Sequence, residues 1–128
     1  MRRGISGERE FIHILNRLGF AVLRAPSSGA GTKLDRPDII AGRKGLHLAI
    51  EVKSTRKETL YIEKESVNQL VRFSIKFGAD PIVAIKFMRK GWFLLEPKHL
   101  TKKNKTFKVS LDDAKKRGKT LESFLRGD

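Results

Sequence analysis

From Leu46 to Lys53 the chain alternates, with Leu46, Leu48, Ile50 and Val52 apolar and His47, Ala49, Glu51 and Lys53 between them. Strand side chains have a period of two, so the run predicts a strand with one apolar face and a second face on which Glu51 and Lys53 point the same way. Upstream, Asp38-Ile39-Ile40-Ala41 is a shorter strand candidate, and Gly42-Arg43-Lys44-Gly45 supplies a Gly-bounded turn. The hairpin so formed sets Asp38, at the open end of one strand, against Glu51 near the far end of the other.

An acid, a second acid thirteen positions on and a lysine two further along make a minimal kit for hydrolysing a phosphodiester with a divalent metal. Two carboxylates suit Mg²⁺, with Mn²⁺ as a substitute, because these hard ions keep positions open for water and phosphate. The ion lowers the pKa of a bound water and steadies charge on the phosphate, while a neighbouring lysine orients or deprotonates that water. Asp113-Ala114-Lys115 fits the same local pattern, but it lies in an Ala- and Lys-rich stretch expected to be helical, where residues two apart do not share a face. The competing reading of the first set is surface charge, since 33% of the residues are charged.

Charge balance favours the chemical reading. The 128 residues hold 28 Lys plus Arg against 14 Asp plus Glu, a net +14, which is the electrostatic footprint of a nucleic-acid partner. No long basic amphipathic helix with bulky apolar anchors argues for a membrane surface. No apolar run reaches the roughly 20 residues of a membrane-spanning helix, and Met1-Arg2-Arg3-Gly4 leads into charged sequence instead of a signal peptide's apolar core. The expectation is a cytoplasmic protein with no membrane partner and no small-molecule cofactor. The absence of cysteine excludes disulfides and thiolate-zinc sites and agrees with a reducing compartment. A single Gln and three Asn hint at a thermophilic source.

The elements come in the order helix, strand, loop, hairpin, strand, helix, strand, strand, then a polar tail with a late helix. That order implies an α/β fold, a mixed sheet with helices packed on it, within a single domain over residues 1–128. The first helix is expected from Gly7 to Leu18, capped by Ser6 and stopped by Gly19, with Phe11, Ile14, Leu15 and Leu18 as its stripe. Glu8 lies on the edge of that stripe. It is either an acid favoured by the helix dipole or a third acid reaching the metal. Arg9 beside it is a candidate phosphate contact.

Phe20–Arg24 reads as a strand leading into a thirteen-residue loop, Ala25 to Pro37, that bears Ser27, Ser28, Gly29 and Gly31 and is basic at Arg24, Lys33 and Arg36. Long loops in compact domains are commonly functional, and small hydroxylated residues with arginines suit phosphate. Beyond Lys53, Arg56 and Lys57 continue the basic surface, and Leu60-Tyr61-Ile62 is a further short strand. A helix from Lys64 to Phe77, ended by Gly78, carries Val67 and Leu70 for the core. Phe73 and Phe77, at i,i+4, are candidates for a dimer contact, and Gln69 is a group able to turn toward the acids. Ile82–Phe87 and Trp92–Leu95 form a second hairpin whose continuous hydrophobicity calls for cover on both faces, one by a helix and the other open to a second subunit. Phe107 and Val109 are read as an edge strand, and Leu121, Phe124 and Leu125 as a short docked helix. The lysines from Lys98 to Lys119 form a solvated basic surface.

Taken in order, Gly7-Glu8-Arg9-Glu10, Gly19-Phe20 into Arg24, the serine- and glycine-bearing loop, Pro37-Asp38-Ile39-Ile40-Ala41, Ile50-Glu51-Val52-Lys53, Leu60-Tyr61, Phe73 and Phe77-Gly78 resemble the archaeal Holliday junction resolvase family. The likeness covers about three quarters of the chain and ends near Trp92. It implies a restriction-endonuclease-like fold, a mixed central β-sheet flanked by α-helices, in a homodimer that makes paired Mg²⁺-dependent nicks in branched DNA, a four-way junction. By the same resemblance Asp38 and Glu51 bind metal, Lys53 assists the water and Glu8 supports the metal. Arg9, Arg24 and Ser28 contact or position the scissile phosphate, with Ser27 the alternative match to the family serine, while Phe73 and Phe77 lie between subunits. Two other readings stand beside it. One is a nuclease of the same fold acting on flaps, ends or mismatches; the other is a basic nucleic-acid-binding module without catalysis.

Overall fold

The computed structural model describes residues 2–26 and 34–127, with backbone alone for residues 2–6. In chain order the elements are α1 (Arg2–Arg17), β1 (Ala21–Arg24), β2 (Ile39–Arg43), β3 (Leu46–Thr55), β4 (Thr59–Glu63), α2 (Lys64–Phe77), β5 (Asp80–Phe87) and β6 (Gly91–Leu95). A 3-10 turn (Pro97–His99) follows, then β7 (Thr101–Lys102), β8 (Thr106–Ser110), α3 (Leu111–Arg117) and α4 (Leu121–Arg126). The larger sheet has the order β1-β2-β3-β5-β6. Only β3 and β5 run parallel, linked by the crossover through β4 and α2. A smaller antiparallel sheet has the order β4-β8-β7.

The period-two pattern of β3 sorts the core into two layers. Leu48, Ile50 and Val52 join Ile39, Ala41, Ile82, Ala84, Trp92 and Leu94 under α1, where Phe11 packs on Trp92 with ring centroids 4.7 Å apart. Ala49 joins Val83, Ile85, Phe93 and Leu95 on the opposite face, covered by Val67 and Leu70 of α2 and by Val109, Leu111 and Ala114. Burying both faces explains why β5 and β6 read as continuous apolar runs. That cover comes from within the chain, so no second subunit is needed there, contrary to the sequence expectation: α1 and α4 lie on one side and α2, α3 and the smaller sheet on the other.

Two further expectations are corrected. Helix α1 begins at Arg2, not at Gly7. Ser6 and Gly7 lower helical propensity without forbidding it, so a cap signature can lie inside a helix whose preceding residues continue it. The strand of Phe107 and Val109 is not an edge but the centre of the smaller sheet, hydrogen-bonded to β4 on one side and β7 on the other. By contrast α2 has the expected limits, closed by Gly78 at φ 86°, whose N–H donates to the Ser74 carbonyl. That positive φ suits glycine, which has no Cβ to clash.

Candidate metal-dependent nuclease site

Asp38 stands one residue before β2. Its N–H donates to the Ile50 carbonyl at 3.0 Å, and its Oδ2 accepts from the Val52 N–H at 2.8 Å. Because Ile39 pairs with Ile50, the next cross-strand position sets Asp38 opposite Glu51, as the hairpin reading requires. Lys53 lies two residues further on the same face, with Nζ 3.6 Å from Glu51 Oε2. Glu8, one helical turn before Ile12 on α1, reaches the same cavity, and its Oε1 accepts from Arg24 Nε at 2.9 Å.

Glu8, Asp38 and Glu51 border a cavity of about 290 Å³ lined also by Arg36, by Ser66 and Gln69 of α2, and by Ala25, Pro26 and Pro37; Lys53 is not among its lining residues. Burial pushes the Glu51 carboxyl up to about 7, reinforced by the charge of Asp38 and only partly offset by Lys53. Asp38 is raised as well, by burial first and by the Glu8 charge, against the opposing pull of the Val52 N–H, Lys53 and Arg24. Two crowded carboxyls that resist ionisation are poised for a cation to supply the missing positive charge. The donor set fits a hard divalent ion: the oxygens are carboxylate, and Asp38 Oδ1 accepts no hydrogen bond from the described residues. Among the described residues, however, no three acid or histidine side chains converge into a ready-made cage. Glu8 is held by Arg24, so the site offers two carboxylates able to ligate an ion directly, with a third acid alongside.

The decoy motif has a different fate. Asp113 and Ser110 form a capping box at the start of α3, with Asp113 N–H donating to Ser110 Oγ at 3.0 Å and Ser110 N–H to Asp113 Oδ2 at 3.3 Å. Those bonds hold the Asp113 carboxyl below its usual range, the reverse of Asp38 and Glu51.

Of the basic residues singled out from the sequence, Arg36 lines the cavity, and Arg24, outside the lining, is bonded to Glu8, which does line it. Arg9 is exposed on α1, and Arg56 and Lys57 are exposed in the turn between β3 and β4; none of these three lines the cavity. Ser27, Ser28 and Lys33 lie outside the described residues. Phe73 and Phe77 stack with centroids 5.2 Å apart. Phe77, 54% exposed, borders an apolar groove of about 340 Å³ with Val22, Leu23, Ile40 and Ala41, and Leu23 is 67% exposed. Along α2 the residues Ser66, Gln69, Phe73 and Phe77 thus run in one stripe from the acidic cavity to this groove. Sequence reasoning missed Ser66. Its only signal was a place three residues before Gln69 on the same helix.

A mixed sheet that presents two carboxylates and a lysine at the end of an adjoining strand pair defines the restriction-endonuclease-like class of nuclease fold. Within that class, the family model described as Archaeal holliday junction resolvase (hjc) matches residues 1–127, and the chain belongs to this family. It is similar to crossover junction endodeoxyribonuclease Hjc of Archaeoglobus fulgidus, 38% identical over 107 residues that cover 84% of this chain and 78% of that protein. It is also similar to the protein of the same name from Sulfurisphaera tokodaii, 34% identical over 125 residues, 97% of this chain and 86% of that one. The solved structure of Archaeoglobus fulgidus Hjc, a Holliday junction resolvase from an archaeal hyperthermophile, matches with a TM-score of 0.87 at 33% identity, covering 94% of this chain and 98% of that one.

Proposed function

We propose that this chain is a Mg²⁺-dependent endonuclease, able to use Mn²⁺, that resolves four-way DNA junctions as a homodimer by paired nicks leaving 5′-phosphates. The observation that carries the reading is the meeting of Asp38 and Glu51 across one hairpin beside Lys53, in a chain of this family. Asp38 and Glu51 bind the ion, and Glu8 supports it from α1. When bound, the ion supplies charge stabilisation to the phosphate and acidifies a water. Lys53, through an Nζ ammonium that the Glu51 carboxylate keeps in place, would orient that water by hydrogen bonding to its oxygen, and the water's proton would pass to solvent. Arg24, with its guanidinium anchored on Glu8, and Arg36 steady the phosphate oxygens, with Arg9, Arg56 and Lys57 contacting DNA further out and Lys33, Ser27 and Ser28 doing so from the loop. Water would attack phosphorus in line, and the P–O3′ bond would break with the 3′ oxygen taking a proton from solvent.

A single site cuts one strand, so resolution needs two sites in a symmetric pair. The half-exposed Phe77 stacked on Phe73, beside an apolar groove, supports a second copy docking there. We assign the whole chain to one nuclease domain acting in the cytoplasm.

The test is a panel of four-way, three-way, flap and linear duplex DNA with and without Mg²⁺. Cleavage is expected to favour the four-way junction, to require the ion, and to drop by more than about a hundredfold in Asp38→Asn and Glu51→Gln. Equal rates on all four substrates would remove the junction assignment. Full activity of either variant would remove the metal-nuclease mechanism.

A further inference from the structure

The cavity has an acidic wall, with Arg36 two residues before Asp38 in the chain, and a neutral wall on α2. Glu8, Asp38 and Glu51 are all acceptors once ionised, whereas α2 contributes only Ser66 and Gln69. Gln69 is half-buried, and its amide makes no hydrogen bond with the described residues. The amide opens onto the cavity, where its two N–H donors and one acceptor are available to a ligand. The helix is not free to swing. Val67 and Leu70, either side of this face, are buried against the sheet, and Arg72 forks onto Asp35 with bonds of 2.8 and 2.9 Å, tying α2 to the chain just before Arg36 and Asp38.

We propose that Gln69 is a further catalytic residue of this site, donating its side-chain N–H to a non-bridging oxygen of the scissile phosphate. The inference rests on the nuclease reading and extends it. Phosphate brings negative oxygens into a cavity already crowded with carboxylates, so it needs donors on the wall away from the acids. A cation on that wall would compete with the metal for Asp38 and Glu51; a neutral amide does not. Such a donor is worth most where it is fixed before the charge develops.

The test compares the full-length wild type with Gln69→Leu, which keeps bulk and loses hydrogen bonding, and Gln69→Ala, which favours the helix. Three quantities are read: single-turnover cleavage of a four-way junction, junction affinity in EDTA, and the Mg²⁺ concentration giving half-maximal cleavage. Both variants are expected to cleave roughly ten- to a hundredfold more slowly while melting and binding junction like wild type, with the Mg²⁺ midpoint unmoved. Wild-type cleavage rates in both would overturn the proposal. So would a tenfold shift in the Mg²⁺ midpoint, which would make Gln69 a metal ligand, or a rate loss matched by equal losses in melting and affinity, which would make it structural. A wild type that leaves the junction uncut in Mg²⁺ overturns the nuclease reading itself, a result distinct from all of these.

Discussion

A buried carboxyl that titrates near neutrality destabilises the fold when it is charged and its partners only partly offset the lost solvation. Glu51 is pushed up to about 7 from an ordinary 4.5, by burial first and then by Asp38. In the unfolded chain the same group ionises near its ordinary value. Between pH 4.5 and 7 the native state therefore holds a proton that the unfolded state has released. The stability tied to this proton is complete below pH 4.5, falls through the window and stays lost above it, up to on the order of 3 kcal/mol. Metal-free Glu51→Gln should thus melt several degrees above wild type at pH 8 in EDTA, with the gap closing toward pH 5; thermal scans at the two pH values check it, and a gap that widens on acidification would contradict it. The acids were legible in the sequence because their geometry is local: alternation and one turn bring Asp38 to Glu51. The same letters at Asp113 meant a helix cap, which helical spacing also revealed. Nothing around Ser66 marked it, since its place in the cavity depends on how α2 settles on the sheet.

Helix α2 was legible at both ends because its apolar stripe is clean and Gly78 closes it. The start of α1 was not, because Ser6 and Gly7 look like a beginning. What no pattern disclosed is how these helices are tethered. Glu10 of α1 holds Lys86 of β5 at 2.6 Å and Trp92 Nε1 of β6 at 3.2 Å, which lowers its carboxyl and fixes α1 across the sheet. Arg72 of α2 binds Asp35 with two hydrogen bonds and Glu65 with a third at 2.7 Å. Arg72 is 45% exposed, so its loss should matter more to placement than to stability. Arg72→Ala is expected to lower the melting temperature by less than about 3 °C, as for other exposed pairs. Cleavage should slow by roughly three- to tenfold as the segment carrying Arg36 and Asp38 loosens. Single-turnover rates beside thermal scans measure both, and unchanged cleavage would show that the clamp does not set the site.

At the scale of the molecule, charge and sheet order were unequally readable. The net +14 is a sum and needs no structure, but β4 finds β8 across more than forty residues, and pairings that distant leave no local trace. The proposed dimer belongs to this scale. Phe73→Ala combined with Phe77→Ala should move sedimentation toward the monomer and suppress paired cutting while single nicks persist; an unaltered dimer would take the two rings out of the interface. The stripe on α2 gives the assembly its gauge. Phe77 lies eleven positions beyond Ser66, roughly 16 Å along the helix. Insert one residue between them and the two ends turn by about 100° against each other, so that a groove still able to receive a neighbour would hold its cavity facing elsewhere. In the proposed dimer the length of this helix would act as a measurement, a constraint that a flexible loop does not carry.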